Sequence, residues 1–352
     1  MYHYFVPLLR PHQPIWDQPI IKGAIAVGRT PGIIPTSFEV VGTITDAYLD
    51  GARAVAAYGN YAVVGARNVS RITLVDCSDP TTPTIAGSVL DATNIGSVND
   101  IVVNGDYAYI SRSTGDRITV IDLSTPSAPA VVGTVTNATT LNGVLGVAYS
   151  GGYVVTAAYD GDRVSTVDVS TPASPSVTGS IAGGTTFMNG PNYVATSGTN
   201  AFATVYINNR VTVVDFSTPA SPTVLGSVQD NTYLDSPEAI YISGTVAYVQ
   251  AYQCLTAVDI STPASPTVLG SLSDTELDTC FKMDLLSGYL AVCGWFSDTV
   301  KLIDISTPAS PTVAYSVTDA TNLPAVSCCA TVAGNLAVTS LTGSRLTMMT
   351  LA

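Results

Sequence analysis

The chain has 352 residues, 46% of them hydrophobic and only 11% charged, with a formal net charge of −13. That apolar content fills a sizeable core and excludes disorder over most of the chain, while the scarcity of charge argues against a coiled coil or helical bundle. With three lysines (Lys22, Lys282, Lys301) and no apolar run near the roughly 18 residues of a membrane span, neither nucleic acid nor membrane insertion is expected.

Residues 1–37 match nothing later in the chain. They hold six prolines (Pro7, Pro11, Pro14, Pro19, Pro31, Pro35) together with Tyr2, Tyr4, Phe5, Trp16, Ile20, Ile21, Ile25 and Val27. Proline disfavours a helix, and solvated tails are poor in aromatic and branched aliphatic residues. The expectation is an extended, Pro/aromatic-rich arm that either lies across its own domain or reaches a neighbouring subunit. Fully extended, such a segment spans on the order of 120 Å. Met1–Arg10 has no basic leader region, so a secretory signal is not expected.

From residue 38 the sequence is periodic. Asp-x-Ser-x-Pro-x-x-Pro begins at Asp76, Asp122, Asp168, Asp215, Asp259 and Asp304, at spacings of 44 to 47 residues. A β-rich stretch precedes each motif, as in Ile72-Thr73-Leu74-Val75. Before that comes a glycine (59, 105, 151, 198, 244, 288, 334) followed by another short strand, and after each motif a further strand is expected, marked by Val-x-Gly-Ser/Thr as in Val131-Val132-Gly133-Thr134 and Val224-Leu225-Gly226-Ser227. Four strands per unit at this period predict propeller blades. The seventh unit has three strands, and 38–44 (Phe38-Glu39-Val40-Val41-Gly42-Thr43-Ile44) fit the fourth-strand pattern. The expectation is therefore an all-β, seven-bladed β-propeller over 38–352, of four-stranded blades, closed by an N-terminal strand pairing with the last blade. Closure of this kind buries edges that would otherwise pair with other chains. The six motif aspartates are read as structural turn residues, their carboxylates accepting backbone N–H groups of a turn that proline preorganises.

The chemistry-bearing residues are few. The two histidines, His3 and His12, lie in the arm, so a Ser-His-Asp or Cys-His site within the ring is excluded. The six cysteines (Cys77, Cys254, Cys280, Cys293, Cys328, Cys329) have no C-x-x-C spacing and read as small buried thiols rather than metal ligands. Thr114-Gly115-Asp116-Arg117 and Asp160-Gly161-Asp162-Arg163 place carboxylates beside glycine; they read as hairpin turns, without the spaced ligand set of a calcium loop. No metal and no cofactor are expected.

Function is sought where the units differ. Six residues before each recurring glycine stand Arg53, Asn99, Leu145, Asn192, Glu238, Lys282 and Cys328. In a propeller this is the start of the innermost strand, so Arg53, Asn99, Asn192, Glu238 and Lys282 form the candidate channel rim for a small ligand. The plainer reading pairs Glu238 with Lys282 to satisfy one another. Trp295, Phe296 and Tyr252 are candidate stacking groups for a glycan, or else blade-packing residues.

Units such as Ile118-Thr119-Val120-Ile121-Asp122-Leu123-Ser124-Thr125-Pro126-Ser127-Ala128-Pro129 resemble the LVIVD-repeat family, over about residues 38–350. The resemblance implies a β-propeller fold and placement at a surface or outside the cell. The chain departs from it in lacking an export signal and in ending its seventh unit at Thr350 where the aspartate would stand. The expected function is a non-enzymatic structural or adhesion subunit of a larger assembly, such as a virion decoration, tail or spike component or an extracellular filament. Its arm would join other protein subunits, and its ring would offer a glycan or protein receptor a rigid outward face. The alternative is an exported cell-surface propeller binding a glycan or peptide.

Overall fold

The computed structural model describes residues 35–352. The arm residues Tyr2, Tyr4, Phe5, Trp16, Ile20, Ile21, Ile25 and Val27 lie outside this range.

Strand runs such as Arg71–Asp76, Arg117–Asp122 and Arg210–Asp215 bury their four central residues and leave the terminal Arg and Asp half-buried. β-Branched side chains on both faces suit strands held between neighbouring sheets. The third residue of the run is polar, yet it is buried. Thr73, Thr119, Ser165, Thr212 and Thr347 donate their hydroxyls to the carbonyls of Tyr48, Asn94, Thr140, Phe187 and Asn322. Each bond ties a sheet to the connector that enters it, which is how a polar group is accommodated in an otherwise apolar strand. In the sixth sheet Lys301 replaces the hydroxyl and pairs with Asp274 and with Glu276 (2.8 Å).

The strands form seven four-stranded antiparallel sheets, the blades of an all-β propeller. Blades 1 to 6 each consist of four consecutive strands, and the first strand of a blade faces the first strands of its neighbours around the axis. Blade 7 is ordered differently. Its three strands Val326–Val332, Asn335–Ser340 and Arg345–Leu351 are joined by Phe38–Thr45, which pairs antiparallel with Arg345–Leu351 from Phe38 opposite Leu351 to Thr45 opposite Arg345. Backbone bonds extend this pairing outward, with Ser37 N–H donating to the Ala352 carbonyl at 3.1 Å and Ala352 N–H returning to Ser37 at 3.0 Å.

The repeated motif locks blade to blade. Each motif aspartate accepts the N–H of the serine two residues on, at 2.7–2.9 Å, in all six copies. The turn so formed lies on the glycine of the preceding blade's outer strand. Gly87, Gly133, Gly179, Gly226 and Gly270 approach the carbonyls of Pro126, Pro172, Pro219, Ala264 and Ala309 so closely that no Cβ fits between them. Gly42, on the strand contributed by the N-terminal side, meets the Pro80 turn of blade 1 in the same way. Only blade 6 departs: Tyr315 stands where the glycine would be, because blade 7 carries no such motif.

Candidate functional site

Seven inner strands converge on a central channel, and most begin with an irregularity. Register shifts occur between Ala52 and Ala54, Val98 and Ile101, Val144 and Val147, Pro191 and Val194, and Val326 and Cys328. A bulge inserts a residue and re-aims the side chains beside it. For this reason a fixed offset from the recurring glycine does not select equivalent side chains in every blade.

The sequence-predicted rim residues consequently divide. Asn99 is buried, its amide donating to Ser113 Oγ at 3.0 Å and also reaching the Val144 carbonyl, and Asn192 is buried as well. Arg53, Glu238 and Lys282 are half-buried. Lys282 does not pair with Glu238. It reaches from blade 6 across the channel to blade 2, with Nζ 3.5 Å from Asp100 Oδ1 and a hydrogen bond to the Ile101 carbonyl.

Asp100, which the rim alignment passed over by one residue, is therefore a central group of the channel. Its Oδ1 accepts Ile101 N–H at 2.8 Å and its Oδ2 accepts Val147 N–H of blade 3 at 3.0 Å. Asp284 repeats the device between blades 6 and 7, accepting Leu285 N–H at 2.8 Å and Thr331 N–H at 2.7 Å. Burial raises the Asp284 carboxyl above the usual carboxylate range, an effect these N–H groups and Lys282 offset only in part. Around these groups lies a cavity of ≈ 400 Å³, to which all seven blades contribute. Its walls are mainly Ala, Val and Ile, with Tyr193, Phe281, Tyr241, Lys282, Asp100 and Asp284 as the aromatic and polar exceptions.

Phe281 is the hub of a second group at the channel mouth. Tyr193 stacks on it with centroids 6.2 Å apart, Trp295 meets it edge-on at 5.5 Å, and the Arg53 guanidinium lies 4.1 Å over its ring. Phe296 stacks on Trp295 at 5.3 Å and is 77% exposed, so an aromatic ladder leads from the channel to solvent. Glu238 joins this group electrostatically. Burial pushes its carboxyl up to about 7, against the opposing pull of the Cys280 backbone N–H and of Arg53, while Asp278 adds to the rise. Arg53 Nε, Glu238 Oε2 and the Tyr193 hydroxyl are each buried without a hydrogen-bond partner. The aromatic ladder falls on Trp295 and Phe296, two of the three sequence candidates; the third, Tyr252, is 58% exposed on blade 5. Tyr193 and Phe281 were not singled out from the sequence, since buried aromatics there look like ordinary core.

Elsewhere one carboxylate of each hairpin turn is engaged by backbone. Asp116 accepts Gly143 N–H at 2.9 Å and Asp162 accepts Gly190 N–H at 2.8 Å, each residue holding a positive φ. All six cysteines are buried and free. Among the described residues no cluster of three or more His, Cys, Asp or Glu is arranged to hold a metal ion, and no helix is long and apolar enough to cross a membrane.

Comparison with known proteins finds the LVIVD repeat at residues 51–91, 95–137, 144–182, 194–230, 237–274 and 296–319. These matches stop before blade 7, the blade without the Asp-x-Ser-x-Pro-x-x-Pro turn. No curated protein matches the chain. Among solved structures it is similar to a protein from Lactobacillus plantarum, at 16% identity and TM-score 0.66 over 79% of this chain and 86% of that one. It is also similar to the WD40 β-propeller domain of Doa1, at 12% identity and TM-score 0.68 over 90% and 97%. A chain of the mitotic checkpoint complex matches at 10% identity and TM-score 0.66 over 99% and 98%. At these identities the likeness is one of fold.

Proposed function

The chain belongs to the LVIVD-repeat family, and on that premise we propose that it is a non-enzymatic structural or adhesion subunit of a larger assembly. In this reading its N-terminal segment is an extended arm joining it to neighbouring subunits, and the propeller is the rigid, outward binding face. The setting proposed is a particle surface: a virion decoration, tail or spike, or an extracellular filament.

One observation carries the reading. The ring is complete with Phe38–Thr45 in place, and the chain just before that strand is already held at the rim. Ser37 pairs with Ala352, and the Pro35 carbonyl accepts the Tyr315 hydroxyl at 2.6 Å. The strand from 38 thus acts as the clasp of the ring, and the 34 residues ahead of Pro35 are not needed to complete a blade. In this reading their aromatic and aliphatic side chains serve another surface, by filling a groove or adding a strand. Removing residues 1–34 tests this: the shortened ring should remain folded and lose its association with neighbouring subunits.

The exposed Trp295–Phe296 stack favours a second reading, an exported propeller whose face binds a glycan or peptide. The two readings share the outward face and differ in what the arm does.

A further inference from the structure

We propose that the mouth of the central channel binds a neutral saccharide, with the Trp295–Phe296 stack under the apolar face of a sugar ring and Arg53, Glu238 and Tyr193 bonding its hydroxyls. The inference rests on the reading of the propeller as an outward binding face and gives that face a ligand class.

Three properties of the mouth select this chemistry. The first is its unsatisfied polar atoms. Arg53 Nε can only donate, Glu238 Oε2 accepts when ionised, and the Tyr193 hydroxyl does both. None of the three has a partner, although buried polar groups are nearly always paired. A ligand that answers all three must carry groups that donate and accept within one small frame, as vicinal hydroxyls do. Arg53 and Glu238 are each half-buried as whole residues.

The second is charge. A cation would compete with Arg53, whose guanidinium already occupies the face of Phe281 at 4.1 Å. An anion would meet Glu238 and Asp278, whose carboxylate accepts the N–H of Phe296 at 3.1 Å and so lies beside the aromatic platform. A neutral ligand avoids both repulsions.

The third is the platform itself. Trp295 and Phe296 lie nearly parallel, 7° apart, with Phe296 77% exposed. Such a flat apolar surface on a solvent-exposed hairpin gains free energy when covered. A pyranose ring offers a flat C–H face for it and hydroxyls around the edge for Arg53 and Glu238.

The chain has two tryptophans, Trp16 and Trp295, so full-length Trp16→Phe reports emission from the site alone. The probes are glucose, galactose, mannose, N-acetylglucosamine and their short oligomers, titrated to about 10 mM, a weak-binding limit. At least one should shift Trp295 emission saturably. Phe296→Ala, a change at an exposed side chain, should weaken that binding about 3–10-fold. Glu238→Gln should weaken it about tenfold or more. No shift with any probe, or binding unchanged in both variants, would overturn the proposal, as would binding confined to acidic sugars and abolished by salt. Sedimentation of the same samples reads the association state separately, so loss of assembly and loss of sugar binding are distinguishable.

Discussion

The Tyr315 hydroxyl donates to the Pro35 carbonyl at 2.6 Å, joining residues 280 positions apart at the seam of the ring. In the six other blades this position is the glycine on which the next blade's turn rests. Here no such turn follows, and an aromatic ring, set edge-on against Tyr289 at 5.6 Å, fills the space and holds the incoming chain. Tyr315→Phe should therefore lower stability by about 0.5–1.5 kcal/mol, the worth of one hydrogen bond, as read by urea denaturation. Tyr315→Gly should cost more, through the lost ring contacts.

The blade-to-blade lock makes an opposite demand at the regular positions. A Cβ at Gly226 would collide with the Ala264 carbonyl, which is backbone and not free to swing away. Gly226→Ala should destabilise by about 1–3 kcal/mol, the usual cost of overpacking. The same substitution at Gly59, where a Cβ meets open space but φ is +56°, should cost only about 1 kcal/mol. Urea denaturation of the two variants side by side separates packing from backbone strain.

Lys282 bridges blades 6 and 2 through Asp100 and the Ile101 carbonyl. Lys282→Met removes the counter-charge of an aspartate that is only 6% exposed. The loss should be about 1–3 kcal/mol, moderated because Asp100 keeps its two backbone N–H partners. Asp100→Asn in the same background should recover part of it, and a double-mutant cycle measures the coupling.

The pH dependence of stability carries the signature of Glu238. Its folded carboxyl titrates near 7, above the ordinary 4.5, so the folded chain holds this proton more tightly than the unfolded one. The group's contribution is fully present below about pH 4.5 and is lost as pH rises through about 7, on the order of 2–3 kcal/mol in all. The difference in unfolding free energy between the wild type and Glu238→Gln, measured from pH 4.5 to 8, should change by that amount in that direction.

The thiols should be inert in the folded chain. Burial pushes Cys77 up to about 11 and raises Cys328, while Cys293 is raised by its contacts with Cys280 and Cys329 as well as by burial. An aromatic disulfide reagent at pH 8 should label none of the six until denaturant is added, and then all six.

The six Asp-x-Ser-x-Pro-x-x-Pro turns, the glycine that recurs seven times and the fourth-strand pattern at 38–44 were together enough to read the seven four-stranded blades, because proline, the Asp carboxylate and the flanking β-branched runs each act locally. The exception at Tyr315 was passed over: Val-Ala-Tyr-Ser stands there in place of the Val-Leu-Gly-Ser of blades 4 and 5, and its meaning depends on a contact with residue 35. The channel was harder to read. Asp100 lies one position from Asn99, and a bulge decides which of the two faces the axis. That Lys282 meets Asp100 rather than Glu238 depends on a span across the ring, which adjacency of blades along the chain does not convey. Tyr193 and Phe281 have the composition of core residues, and only their unpartnered hydroxyl and the guanidinium above them mark the mouth.

The central claim, that residues 1–34 serve assembly rather than completion of the ring, is tested most directly by sedimentation velocity on the full chain and on a chain beginning at Pro35. The account predicts a defined oligomer or larger species for the full chain and a folded monomer, with unchanged β-sheet circular dichroism, for the shortened one. Two folded monomers would contradict self-assembly through the arm, and an unfolded shortened chain would contradict a ring that is complete without it.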